Sequence, residues 1–331
     1  MPKKLVLVTG ATGKQGQALI RALSSDPEFH VWALTRAPTS PTVTQLKTAS
    51  PHVTVVHGNL DTANSIRKIF DDAKASEFGG VWGVFVVLAF PGLGANADGE
   101  ERQGKTLADL SAEYQVSCFV FSSVERGGEY NDDNAVLDRR AKVMIERHIK
   151  QLGNLKSLPW TILRPGFFME NYDGTIGSIA VGVMKKGLKP DTTNQLVAVE
   201  DIGRVAAAVF KNPSEYRSKI LVVSGEAATI SQQLESYKKA TRKNLPSVAG
   251  FFAKALISLN SDTKGLIADI ERVHAARIEG LCPEVAEQTA LAKKAYPDMQ
   301  TFEIWARSRA GVSKSQKANW NQLSVTKLAG M

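Results

Sequence analysis

The chain has 331 residues, 43% of them hydrophobic and 22% charged, with two cysteines and a formal net charge of +8. These proportions exclude a disordered, collagen-like or disulfide-framework chain, and the longest apolar stretch, 81–90, falls well short of the ~20 residues a bilayer span needs. The positive excess admits a nucleic-acid binder or an anion-binding protein with a basic surface; spread over this length it is mild, and the second reading is preferred.

Apolar runs alternate with helix-like segments from the start. Lys4–Val8 reads as a strand running into Gly10, and Gln15–Leu23 then has helical spacing. Val31–Leu34 and Val53–Val56 read as short strands, and Val84–Leu88 and Cys118–Phe121 follow as strands, each after a helical segment. Strands that are apolar throughout suit a parallel sheet covered on both faces, and the alternation predicts a doubly wound α/β fold of the Rossmann type. Beyond about residue 155 the texture changes. Trp160–Leu163, Leu196–Val199 and Ile220–Val223 read as strands, with a helix over Glu200–Phe210, and from Ser231 the pattern is mostly helical. Loops are expected near Asn260–Thr263 and at Pro297-Asp298. Three parts follow: a dinucleotide-binding domain over 1–155, a part over 156–310 that returns strands to the sheet and then forms a smaller, mostly helical lobe, and a basic tail over 311–331 with lysines and no acid.

The strongest local signal is the glycine loop Gly10-Ala11-Thr12-Gly13-Lys14-Gln15-Gly16 between the first strand and the first helix. Gly10 suits a tight turn, Gly13 lets the backbone approach a pyrophosphate, and Gly16 lets helix and strand pack closely. The helix N-terminus adds N–H donors and the positive end of its dipole. An NAD site usually carries an acid at the end of the second strand, where the 2′-hydroxyl must be held. Here that strand ends Thr35-Arg36, and no Asp or Glu lies between Glu28 and Asp61. A guanidinium matches a 2′-phosphate, so NADP(H) is expected over NAD(H), with Lys14 a candidate to add charge. Asn59 and Leu60, after the third strand, are placed to meet the adenine; for Asp61 a helix cap is the alternative.

Catalysis turns on an absence. Short-chain reductases on this scaffold pair a Tyr with a Lys four residues on, and none of the six tyrosines has that Lys. The segment Asp138-Arg139-Arg140-Ala141-Lys142 keeps a Lys and puts Asp138 in the Tyr place. An ionised Asp supplies no proton at neutral pH. Ser122 and Ser123 either face the nicotinamide or satisfy the turn backbone. The five histidines show no metal-ligand spacing, Cys118 reads as a core residue, and no metal is expected. The N-terminal run leads directly into the glycine loop without a signal-peptide cleavage region, so the expected setting is cytoplasmic, with the nucleus also open to it.

With these features in place, the chain resembles the NmrA-like family, atypical members of the short-chain dehydrogenase/reductase superfamily. The likeness runs to about residue 310 and is most specific over Thr161–Asn171 (TILRPGFFMEN), Val199–Gly203 and Thr301–Trp305. The family includes fungal repressors of nitrogen metabolism that bind a GATA-type transcription factor, and an animal cytosolic NADPH sensor. The resemblance implies cofactor contacts at Gly10 to Gln15, Arg36, Asn59, Leu60, Arg102, Lys142, Phe168, Met169, Glu170 and Asn171. Asp138 and the tail after Gly311 depart from it. Two functions stand. One is a regulatory NADP(H)-binding protein read by a protein partner such as a transcription factor. The other is an NADPH-dependent reductase of a small carbonyl or enone, with Lys142 or water handling the proton and substrate lying between Phe167, Phe168 and the C-terminal helices. Direct DNA binding rests on net charge alone, and no membrane contact is expected.

Overall fold

The computed structural model describes residues 3–310 except Pro51 and Leu93; the basic tail read over 311–331 lies outside the described residues. In chain order come β1 (Lys4–Val8), α1 (Lys14–Ser24), β2 (Phe29–Thr35), α2 (Pro41–Ala49), β3 (Val53–His57) and α3 (Ala63–Ala75). The alternation continues through β4 (Gly83–Val86), α4 (Asp98–Glu113), β5 (Cys118–Ser122), α5 (Leu137–Lys156) and β6 (Trp160–Pro165). Then follow β7 (Phe167–Phe168), α6 (Gly174–Gly187), β8 (Thr193–Val197), α7 (Val199–Lys211), α8 (Pro213–Tyr216), β9 (Lys219–Val223) and β10 (Glu226–Thr229). Helices α9 (Ile230–Thr241), α10 (Gly250–Leu259), α11 (Ser261–Ile278), α12 (Glu284–Ala295) and α13 (Phe302–Arg309) complete the described chain.

Among the described residues, β3-β2-β1-β4-β5-β6-β9 form one parallel sheet in that order, the doubly wound arrangement expected. Each strand divides its side chains between two cores because successive residues point to opposite faces. Val6, Val8, Ala33, Phe85, Val120 and Leu163 pack with α1 and α7. On the other face, Leu5, Leu7, Leu34, Val84, Val86, Phe119 and Phe121 pack with α3, α4 and α5. Strand order reverses between β1 and β4, so the loops leaving these strands diverge and open the crevice where this fold binds nucleotides. No helix among the described residues is long and apolar enough to cross a membrane.

Three local expectations need correction. The strand expected at 84–88 ends at Val86, because the Thr9 hydroxyl takes over the next residue: it accepts from the Val87 N–H and donates to the Val87 carbonyl, both at 3.0 Å. The strand expected at 196–199 is β8 at 193–197, and it joins not the main sheet but a small second one, antiparallel to β10 and parallel to β7. It stops early because Glu200 and Asp201 in the first turn of α7 favour a helix start at Val199. The loop expected near Asn260–Thr263 is instead the start of α11, because the Asn260 side chain accepts the Thr263 N–H at 2.7 Å and caps it; β10, with few strand formers, carries little sign in the sequence and is held by pairing.

Candidate dinucleotide site

The glycine loop is shaped by backbone contacts that leave no room for side chains. Gly10 has φ +55°, and a Cβ there would lie 2.8 Å from the Val87 carbonyl oxygen. One on Gly16 would lie 2.4 Å from the Gly10 carbonyl oxygen. The Gly13 N–H donates to Gly10 O at 2.8 Å, and the Gln17 amide donates to the Thr12 carbonyl at 2.7 Å, fixing the loop from inside α1. No side chain caps α1 at Gly13, which leaves its first-turn N–H groups as candidate donors to an anion. Gly203 brings α7 so close that a Cβ would sit 2.4 Å from the Ala18 carbonyl carbon, anchoring α1 from behind. Thr9 and Gln17 had no sequence signal of their own, and Gly203 stood out only within the family-like stretch Val199–Gly203; their roles exist only once β1, β4 and α7 are assembled.

The expected contacts distribute unevenly around this loop. Gln15 accepts from Ser122 Oγ at 2.6 Å, tying the loop to the end of β5, while Ser123 donates to the buried Glu146. The two serines thus serve other side chains. Arg36 is exposed one residue beyond β2 and has no hydrogen-bond or ion-pair partner among the described residues. Asn59 accepts the Asp61 N–H at 3.1 Å in a local turn, and Leu60 packs against the α3 side of the sheet. Thr62, not Asp61, stands at the cap position of α3; Asp61 instead accepts from Gln103 at 2.6 Å. Arg102, next to Gln103 on α4, is exposed.

Lys142 has a different environment. Its ammonium donates to Glu100 of α4, a nearly buried carboxylate whose second oxygen has no partner. Asp138, one turn earlier, is half-buried. Among the segment after β6, Phe168 packs beneath the sheet core and Asn171 is half-buried. Phe167 meets Tyr172 edge-on, and Met169 is fully buried in the C-terminal lobe. Glu170 accepts from the Val199 N–H at 3.1 Å and from the Trp305 indole at 3.2 Å, joining α7 to α13. Burial pushes its carboxyl above the usual range, although these donors oppose the shift. The side chains of Met169 and Glu170 are therefore committed to the lobe's interior.

Lys14 faces this lobe. Burial draws its ammonium down to about 8 against the opposing pull of Glu170 and Asp173, and Asp173 is itself paired with Arg309 at 2.6 Å. Beyond it, at the ends of β5 and β6, lies an ionic cluster of which only Arg164, within the TILRPGFFMEN stretch, stands out in the sequence. Arg126 and the fully buried Arg164 both grip Glu146, at 2.8 and 2.6 Å, while Arg126 also binds Asp132 and Arg164 binds Glu129. Burial works against the charge on Glu146, yet Arg164 and Arg126 hold its carboxyl well below the usual range. A cleft of about 260 Å³ opens beside this cluster, lined by Arg126, Asp132, Arg139, Asp269 and Arg272.

The strand order, the crevice at the switch point and the glycine loop define a Rossmann-type α/β protein, related in fold to the short-chain dehydrogenases but without their Tyr-Lys pair. More narrowly, the chain belongs to the NmrA-like family, whose model matches residues 2–305. It is 26% identical over 250 residues to an NmrA-like family domain-containing protein of Dictyostelium discoideum, covering 73% of this chain and 79% of that protein. It is 25% identical over 264 residues to the NmrA-like family domain-containing oxidoreductase FrzB of Cladobotryum sp, covering 72% and 74% respectively. Among solved structures it is similar to NmrA, a negative transcriptional regulator, crystallised with NAD (TM-score 0.69) and with NADP (TM-score 0.64). Sequence identity is 18% in both cases, over 97% of this chain and 99% of NmrA.

Proposed function

We propose that this chain is an NADP(H)-binding regulatory protein whose cofactor state is read by a protein partner, such as a transcription factor, in the cytoplasm or nucleus. One observation carries the reading. The glycine loop leaves room and backbone donors for a dinucleotide, while the lysine that would support proton transfer is paired with Glu100 and has no Tyr to act on. Gly10 to Gly16 and the first turn of α1 would hold the pyrophosphate. Arg36, exposed at the end of β2, would hold a 2′-phosphate with charge-assisted bonds. Asn59 and Leu60 would border the adenine, Arg102 lies on the neighbouring helix, and Phe168 and Asn171 would border the nicotinamide end.

The second reading, an NADPH-dependent reductase of a small carbonyl or enone, is favoured by the half-buried Lys14. Bound nicotinamide would supply the hydride. An ammonium drawn down to about 8 is a competent proton donor near neutral pH, whereas Lys142 is tied to Glu100 in an ion pair. The oxidoreductase names of the fungal relatives favour it too.

Two measurements separate these readings. Calorimetric titration is expected to give at least about tenfold tighter binding of NADPH than of NADH; equal affinities would remove the NADP assignment. Incubation with NADPH and a panel of aldehydes, quinones and enones is expected to give no turnover near the ordinary enzyme range, and a rate above about 1 per second would install the reductase reading instead.

A further inference from the structure

Helix α10 leaves large apolar side chains on its outer face. Ala253 is its fully buried residue, against Gly182 of α6, whereas Phe251 is 79% and Leu259 87% exposed, with Phe252 also exposed. Leu256 and Ile257 are half-buried beside Ala253, yet three large apolar side chains remain outward, and exposed apolar surface of this kind marks a site of association. The helix is firmly placed: the Val248 N–H donates to the Ser178 carbonyl of α6 at 3.0 Å, and the Lys186 stem lies over Gly250. Its outward face therefore belongs to a fixed element.

The two segments that form this face carry charge of one sign. Residues 174–190 and 242–261, which contain α6 and α10, carry Lys185, Lys186, Lys189, Arg242, Lys243 and Lys254 and no Asp or Glu. Lys185, Lys186 and Lys254 are exposed, and Asp262, the first acid after α10, turns away toward Gly94. Lys189 is paired with Glu271 of α11, which leaves five positive charges here without an acidic partner among the described residues. A second copy would bring like charge to like charge. The chain's own residues 311–331 carry Lys314, Lys317 and Lys327 and no acid, and would repel this face in the same way. An occupant must be apolar on one side and acidic around it.

We propose that the outer face of α10, rimmed by Lys185, Lys186 and Lys254, docks an acidic amphipathic helix of a partner protein. This deepens the partner reading above and rests on it. Helix α10 has 10 residues, about 15 Å of axis, and offers Phe251 and Leu259 two turns apart. A helix presenting Leu or Phe at i, i+3, i+4 and i+7 would cover that span. So small a contact sits at the weak end of the interface range, and its rim of charge makes it sensitive to salt.

The test uses the full chain and a fluorescent synthetic peptide of about 18 residues with Leu at i, i+3, i+4 and i+7 and Glu elsewhere. Anisotropy is expected to show micromolar binding that weakens with salt, and a scrambled peptide of the same composition should bind at least about tenfold more weakly. The variant Phe251→Ser/Leu259→Ser and, separately, Lys185→Glu/Lys254→Glu should each lose at least about tenfold, with melting temperatures unchanged because the altered groups are exposed. No binding to wild type, or binding undiminished in both variants, overturns the proposal. So does co-sedimentation with phosphatidylserine vesicles that needs Phe251 and Leu259 while the peptide fails to bind, which would make the face a membrane contact. A cofactor-dependent partner retained by Phe251→Ser/Leu259→Ser overturns the surface and leaves the partner reading intact. Peptide binding without any cofactor-dependent partner supports the surface and removes that reading.

Discussion

The cations around β1–β3 and those at the ends of β5 and β6 have opposite circumstances. Arg36 is exposed and faces no acid, whereas Arg126 and Arg164 are buried and saturated by Glu146, Asp132 and Glu129. Lys142 belongs with the second group through Glu100. Positive charge alone therefore says little about ligands; what matters is whether the protein has already supplied the counter-charge. The buried cluster fixes the loop after β5 relative to β6, and the open edge leaves its charge for an anion from outside. Lys14 stands between the two, half-buried and balanced by Glu170 and Asp173.

That contrast can be broken at its strongest point first. Glu146→Ala would strand two buried guanidiniums, and chemical denaturation is expected to show a loss of about 3–5 kcal/mol. A loss below about 1 kcal/mol would mean that Asp132 and Glu129 suffice for them. Gly16→Ala forces a methyl into the Gly10 carbonyl, so the loop must shift. About 1–3 kcal/mol of stability should go with it, and dinucleotide binding should fall with the cradle. Binding that survives unchanged would take the phosphates away from this loop.

At the open edge Arg36→Ala is expected to leave folding untouched and to cost NADPH about 1.4 kcal/mol, a factor of about ten, with NADH unaffected. Calorimetry with both cofactors would show it. The smallest effect concerns Lys14. Its folded pKa, about 8, lies below the usual lysine value, so the folded state carries the penalty of a buried charge at low pH. Above about pH 8 the folded chain sheds that proton before the unfolded chain does, and this residue's contribution to stability rises with pH until the ordinary lysine range. Lys14→Met should flatten that rise. Dinucleotide phosphates should draw a fraction of a proton onto wild-type Lys14 near pH 8, visible as a buffer-dependent binding enthalpy.

Legibility in the sequence followed the range of the interactions. The glycine loop was readable because turn, cradle and helix start are local, set within seven residues by the absence of side chains. Arg36 was readable from its position in a strand pattern and from the lack of nearby acids. Ser122 and Ser123 stayed ambiguous, since their partners, Gln15 and Glu146, come from other elements. Arg164 was singled out only within a family-like motif; that it is a buried counter-ion depends on Glu146 and Arg126 arriving from α5 and the preceding loop.

The sequence by itself determined the doubly wound fold, the glycine loop and the missing Tyr-Lys pair, because strand and helix periodicity and glycine's lack of a side chain act along the chain. The tertiary structure decided which charges are spent and which are available. Pairing depends on residues far apart in sequence meeting in a low-dielectric interior, as Lys142 meets Glu100. It also decided that α10 turns its phenylalanines outward, since only packing against Gly182 made Ala253 the buried residue.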